Sequence, residues 1–305
     1  MNTSSPRQWW IDHLGAEADP SGGWTLGPAR QQQYGAASGQ AAELTLHSFG
    51  SDLTASWFRP DNALPGALVL IPFYDAPPLF GLPSARTTLR GRDPNRGAHG
   101  SRLAEAGLSV LAVPWWFEHV AASDPATATA GSLQSRYSGA AEQHHRTMAV
   151  TALGRSLADL MLAVTAAHQE GLVGAAGKLG VYGHSLGGKL AGHLAALDPR
   201  IDAAVAHEAG WGFANSNWEA PWYFDEQIPA SRDQDDLLAQ IAPRPLLVAG
   251  GGDGDGEHNR ELIERAGTAW PEDTSLDLLL HNGGHPIPPH VLSACAAWLR
   301  SHLGD

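Results

Sequence analysis

The chain carries one G-x-S-x-G sequence, Gly183-His184-Ser185-Leu186-Gly187, placed between an apolar run, Lys178-Leu179-Gly180-Val181-Tyr182, and a helical pattern from Leu186 to Leu197. A strand-to-helix turn of this kind holds its serine in a strained backbone conformation and lifts the Oγ above the sheet edge. Glycine is required at 183 and 187 because a Cβ at either place would collide where helix and strand cross. The helix N-terminus and the Leu186 N–H are then placed to stabilise an oxyanion. A serine hydroxyl needs a base to become a nucleophile. His285 fits, in His281-Asn282-Gly283-Gly284-His285-Pro286, just past the last strand and at the same carboxyl edge as Ser185. His184, beside the serine, points elsewhere in such a turn. The base needs a carboxylate to set its tautomer. Two candidates stay open: Asp253, after the strand at 245–249, and Glu208, at the end of the strand at 201–207, with position alone favouring Asp253. Asp255 is a poorer third. A second oxyanion donor is expected after the strand at 67–71, at the Tyr74 N–H, with Phe73 next.

These side chains need a scaffold that brings strand ends together. Leu44–His47 and Leu53–Phe58 flank Gly50-Ser51-Asp52 and suggest an antiparallel hairpin. Ala67–Ile71, Ser109–Val113, Lys178–Tyr182, Ile201–His207, Pro245–Ala249 and Leu276–Leu280 read as strands, several of them continuously apolar, as strands covered on both faces are. Helical patterns alternate with them, including one from Arg146 to His168 and one from Pro289 to Leu303. The alternation predicts an α/β fold, a mostly parallel, doubly wound sheet of about eight strands. Residues 1–40, polar and aperiodic, are expected to form a surface arm. Residues 41–305 are expected to form one domain, with insertions at 114–145 and 210–232 making a cap over the active site.

Bulk properties exclude several classes. The 305 residues are 43% hydrophobic and 17% charged, an ordinary globular composition. The net charge of −13 argues against nucleic-acid or anionic-membrane partners. The single cysteine, Cys295, cannot form an internal disulfide and is expected to be buried and inert. With no signal-like N-terminus and no long apolar run, a cytoplasmic location is the default expectation. The acidic loop Asp253-Gly254-Asp255-Gly256-Glu257 lacks the spacing of an EF-hand, and no cluster has zinc-ligand spacing, so neither metal nor cofactor is expected.

The sequence resembles the α/β-hydrolase superfamily and, within it, esterases of the acetyl-xylan-esterase, glucuronoyl-esterase and dienelactone-hydrolase-like groups. The resemblance spans roughly residues 65–304 and rests on Gly183–Lys189, His207-Glu208-Ala209-Gly210, Ile241–Val248 and Gly283–Pro289. It implies an α/β-hydrolase fold and an esterase activity. The segment at Glu208 is similar to the one where glucuronoyl esterases place their acid. Those enzymes usually carry Arg after the nucleophile, where this chain has Leu186, which sets uronate-ester specificity apart.

Trp115, Trp116, Trp211, Trp218, Trp222 and Tyr223 concentrate in the two insertions, where flat rings could stack on sugars or enclose an acyl group; packing among themselves is the competing reading. Arg86, Arg90, Arg92 and Arg96 could recognise a substrate carboxylate, against the plainer reading of solvated arginines. His144 and His145 read as surface or lid residues. The expected activity is that of a serine carboxylesterase hydrolysing a small acyl or carbohydrate-linked ester through an acyl-enzyme. An amidase, peptidase or acyltransferase on the same triad, and a non-catalytic binding protein of the same fold, are the alternatives. A homodimer is compatible with the sequence.

Overall fold

The computed structural model describes residues 5–17, 22–89, 91, 93–224, 227–271 and 276–304. Arg90 and Arg92 lie outside the described residues, as does the side chain of Arg96. The elements run α1 Pro6–Leu14, β1 Gly23–Leu26, β2 Arg30–Tyr34, β3 Ala37–Ser48, β4 Ser51–Pro60, β5 Leu68–Phe73, α2 Ala85–Leu89, α3 His99–Glu105 and β6 Ser109–Pro114. After these come α4 Trp116–Ser123, α5 Pro125–Ala128, α6 Leu133–Met148, α7 Ala152–Gln169, β7 Leu179–His184, α8 Leu186–Leu197 and β8 Ala203–His207. The chain closes with α9 Gln234–Leu238, β9 Leu246–Gly250, α10 Arg260–Gly267, β10 Leu276–Leu280 and α11 Pro289–Leu303.

Among the described residues the strands form one ten-stranded sheet in the order β1-β3-β4-β6-β5-β7-β8-β9-β10, with β2 also paired to β3. From β6 to β10 every pairing is parallel. The strands on the other side pair antiparallel, starting with β4 against β6. The β3–β4 hairpin turns at Phe49 (φ 48°) and Gly50 (φ 71°). Two successive left-handed residues of this kind match the right-handed twist of the flanking strands.

Successive side chains of the central strands go to opposite faces, as strand geometry requires. Leu68, Leu70 and Val181 join the core on one face, with α7 and α8; Val69, Ile71 and Tyr182 join the core on the other, with α3 and α11. Every residue of α8 is buried, so the helix behind Ser185 is held on all sides. Cys295 is buried, and desolvation pushes its thiol up to about 12, which leaves it un-ionised and inert.

The N-terminal residues differ from the expected arm. Ser5 caps α1 by accepting from the Gln8 N–H, Trp10 and Leu14 are fully buried, and the Trp10 indole donates to Asp236 at 3.0 Å. Two of the ten strands, β1 and β2, come from this region. Arg30-Gln31-Gln32-Gln33-Tyr34 gave no strand signal because it lies along an outer, mostly exposed position of the sheet, where nothing imposes apolar alternation. The helix expected over 146–168 is two helices. Ala149 adopts φ 55°, Thr151 caps α7 through the Gly154 N–H, and α6 and α7 meet at 79°. Residues 114–145 are therefore largely helical. No single helix among the described residues is long and apolar enough to cross a membrane.

Candidate active site

β7 delivers Ser185 at φ 58° and ψ −119°, a conformation non-glycine residues avoid. The packing around it is what enforces this. A Cβ at Gly183 would run into the Gly187 carbonyl, and one at Gly187 would meet the carbonyl of Pro72 on β5. The Ser185 N–H donates to the His207 carbonyl at 2.8 Å, tying the turn to β8. Leu186 begins α8, so its N–H sits at the positive end of a helix. Pro72 and the Phe73 ring at the end of β5 abut the turn, and Tyr74 follows them in the chain.

Ser185 Oγ lies 3.0 Å from His285 Nε2. On the far side of the ring, His285 Nδ1 lies 3.4 Å from Glu208 Oε2. Serine, imidazole and carboxylate thus line up from three strand ends. Glu208 follows β8 with φ 52°, and its carboxylate is buried. Burial alone would raise its pKa, but the contact with His285 and the N–H groups of Gly251 and Gly254 outweigh it and hold the carboxyl below its ordinary range.

Asp253, the carboxylate that position favoured, does not face the ring. It is exposed, and its Oδ2 accepts from the backbone N–H of His285 at 2.7 Å. Asp255 is fully buried and accepts from the N–H groups of Ala209, Gly210 and Trp211 and from the Asn259 amide, which fixes the segment just after Glu208. Three neighbouring acids therefore have three separate tasks. No single-residue signal in the sequence distinguishes them, because the difference lies in which amides each one meets.

His184 is not positioned as a base; its Nε2 lies 2.8 Å from the His285 carbonyl oxygen. His207 and His281 meet Nε2 to Nε2 at 2.9 Å. Together with Glu208 their ligand atoms fall within 4.8 Å of one another, the spacing of a metal site. The donor set is otherwise occupied: Glu208 serves two backbone amides and His285, and His281 Nδ1 accepts from the Gly283 N–H at 3.1 Å. The residues fit a hydrogen-bonded cluster better than a metal centre.

The aromatic residues divide. Trp211 and Trp218 have no exposed surface; Trp211 stacks on Trp218 and on His193, and Trp218 meets the same imidazole at a tilt. Neither offers a ring face to a ligand. Lys189, one turn beyond Ser185 in α8, places its Nζ 3.6 Å from the Trp218 ring and 2.9 Å from Ser216 Oγ, and burial pulls its pKa down to about 7. Trp115 is buried and donates to Ser156 at 2.9 Å. Trp116 carries the Arg155 guanidinium at 3.9 Å and lines a cavity with the β3–β4 turn. Trp222 lines a surface cavity of about 640 Å³ with Gln134, Glu142, Arg146, Asn217 and Glu219. Tyr223 is buried beside Trp218.

Two further expectations are corrected. Arg86 is neither solvated nor free for a substrate carboxylate: it is buried, 3.6 Å from the Tyr74 ring, and paired with Glu118, which also binds Arg136 and the Tyr137 hydroxyl. A buried carboxylate demands such partners. His144 is not a lid residue; it is buried against Phe49, Trp116 and Phe117, and desolvation lowers its pKa to about 4. His145 is partly buried and meets the Gln227 amide.

A parallel sheet crossed by an antiparallel flank, with a serine at a strand-to-helix elbow and a histidine after the last strand, is the α/β-hydrolase fold. No protein-family model matches the sequence, and no curated protein matches it significantly. Solved structures do match in fold. A glucuronoyl esterase from Solibacter usitatus superposes with a TM-score of 0.68 at 14% identity, over 99% of this chain and 93% of the other. A promiscuous CE15 esterase from a marine bacterial metagenome gives 0.67 at 14%, over 97% and 91%. A putative acetyl xylan esterase from Bacteroides fragilis gives 0.64 at 17%, over 97% and 86%.

Proposed function

We propose that the protein is a serine esterase that hydrolyses carboxylic esters, with carbohydrate-linked esters as the favoured class. The observation that carries this reading is the alignment Ser185 Oγ–His285 Nε2 at 3.0 Å and His285 Nδ1–Glu208 Oε2 at 3.4 Å. Its fold neighbours being carbohydrate esterases supports the substrate class.

In the reaction, Ser185 Oγ attacks the ester carbonyl while His285 Nε2 accepts the hydroxyl proton. Glu208 holds the Nδ1–H tautomer and stabilises the imidazolium that forms. The carbonyl π electrons move onto oxygen, and the N–H groups of Leu186 and Tyr74 are assigned to that oxyanion, each worth ~3 kcal/mol of transition-state stabilisation. The tetrahedral intermediate collapses, His285 passes its proton to the departing alcohol, and an acyl-Ser185 ester remains. Water, deprotonated by His285, then releases the acid and restores the serine.

The test is direct. Ser185→Ala should abolish hydrolysis of p-nitrophenyl acetate with the melting temperature retained, and a fluorophosphonate probe should label wild type at Ser185. A wild-type enzyme that stays unlabelled, or a serine-less variant that keeps its rate, rules the proposal out.

A further inference from the structure

Building on the esterase reading, we propose that His184, the residue before the nucleophile, is a positioning residue that fixes the catalytic histidine by gripping its main-chain carbonyl. Within the loop that follows β10, Gly283-Gly284 immediately precede His285, and Gly284 sits at φ 62°. Two glycines give the chain latitude that a base held 3.0 Å from its serine does not tolerate. All four polar groups of His285 are engaged: Nε2 by Ser185, Nδ1 by Glu208, the N–H by Asp253 and the carbonyl by His184.

The two main-chain anchors are unequal. Asp253 is exposed, so its bond competes with water. The His184 bond, at 2.8 Å, lies within a group of rings: His99 at 5.6 Å and His207 at 5.3 Å, both edge-on, and His285 itself at 4.8 Å. A hydrogen bond shielded in this way is stronger than one open to solvent. A carbonyl only accepts, so Nε2 of His184 carries the proton. Burial, then the neighbouring histidines, depress its pKa and keep it uncharged, which prevents a second cation arising beside the imidazolium. His184 also pairs in register with His207, the residue before Glu208. One ring thereby links the strand ends bearing nucleophile and acid to the loop bearing the base.

The experiment compares His184→Phe, which keeps an aromatic ring and loses the donor, with His184→Gln, whose amide N–H₂ reaches about as far as Nε2. We expect H184F to lower kcat on p-nitrophenyl acetate about 10- to 100-fold, to leave KM unchanged and to slow fluorophosphonate labelling in proportion. H184Q should recover most of both rates. Wild-type kcat in folded H184F, or an H184Q as slow as H184F, overturns the inference. Should H184F not fold, His184→Asn replaces it: its shorter amide cannot reach the carbonyl, and equal rates for Asn and Gln variants overturn the inference too. Labelled wild type with an unaffected H184F removes only this positioning role, whereas unlabelled wild type removes the esterase reading itself.

Discussion

Asp253 Oδ2 accepts the main-chain N–H of His285 at 2.7 Å, gripping the peptide of the base and leaving its ring to another acid. Glu208→Gln should therefore cut kcat by about 10³-fold or more, since the tautomer-setting carboxylate is lost. Asp253→Asn should cost less than about tenfold, because an amide oxygen can still accept the peptide N–H. Steady-state kinetics on the two variants check the assignment, and a reversed order would transfer the acid's role to Asp253.

The environment of Glu208 also shapes acid stability. Its folded pKa is depressed below the ordinary value near 4.5. The folded state thus holds the proton less tightly than the unfolded chain, and the group's stabilisation is fully present above the unfolded value. It is lost as pH falls through the folded one. Melting temperatures from pH 7 to pH 3 should fall more steeply for wild type than for Glu208→Gln; parallel curves would contradict the buried, amide-bound carboxylate.

Lys189 is also shifted downward, but in a lysine a lowered pKa disfavours the charged form. Its ammonium is pulled down to about 7 by burial, so the unfolded chain holds the proton more tightly between that value and the ordinary 10.5. The resulting cost is complete below pH 7 and is relieved as pH rises toward 10.5. Wild type should gain melting temperature relative to Lys189→Met between pH 7 and pH 9.5. A difference independent of pH would show that the lysine keeps its ordinary titration.

Trp218 and Trp222 should respond differently to truncation. Trp218→Ala removes a fully buried ring from the cluster with Trp211 and His193 and should cost about 3–5 kcal/mol in urea unfolding. Trp222→Ala, at the wall of the 640 Å³ cavity, should act chiefly on KM for sugar-linked esters. Equal KM effects from both would mean that the buried tryptophan reaches substrate.

The elbow was readable in the sequence because its requirements are local: two glycines, a serine and the change from strand to helix occupy a few consecutive residues. The loop after the last strand pointed to His285, which lies 3.0 Å from Ser185 Oγ. Which carboxylate meets the His285 ring was not readable, since Asp253 and Glu208 both follow strands at the same rim, and only the amides of Gly251, Gly254 and His285 tell them apart. Tryptophan enrichment sets residues 114–145 and 210–232 apart, yet composition carries no information on which rings turn inward. β2 carries no apolar alternation because it is mostly exposed, and β1, at four residues, is too short for its Trp24/Leu26 alternation to stand out. The part of His184 was hidden for another reason: its partner is a main-chain carbonyl, which leaves no mark on residue choice 101 positions away.

Ser185 and Glu208 end neighbouring strands in the same uncomfortable way, each a side-chain-bearing residue with positive φ. Under the proposed mechanism, reactivity and durability therefore pull against each other at both residues. Ser185→Gly removes the hydroxyl the proposed reaction needs yet relaxes the backbone, so this variant should outlast wild type under heat. The catalytic arrangement, on this view, survives only because a fully enclosed helix and two glycine contacts leave the chain no easier path.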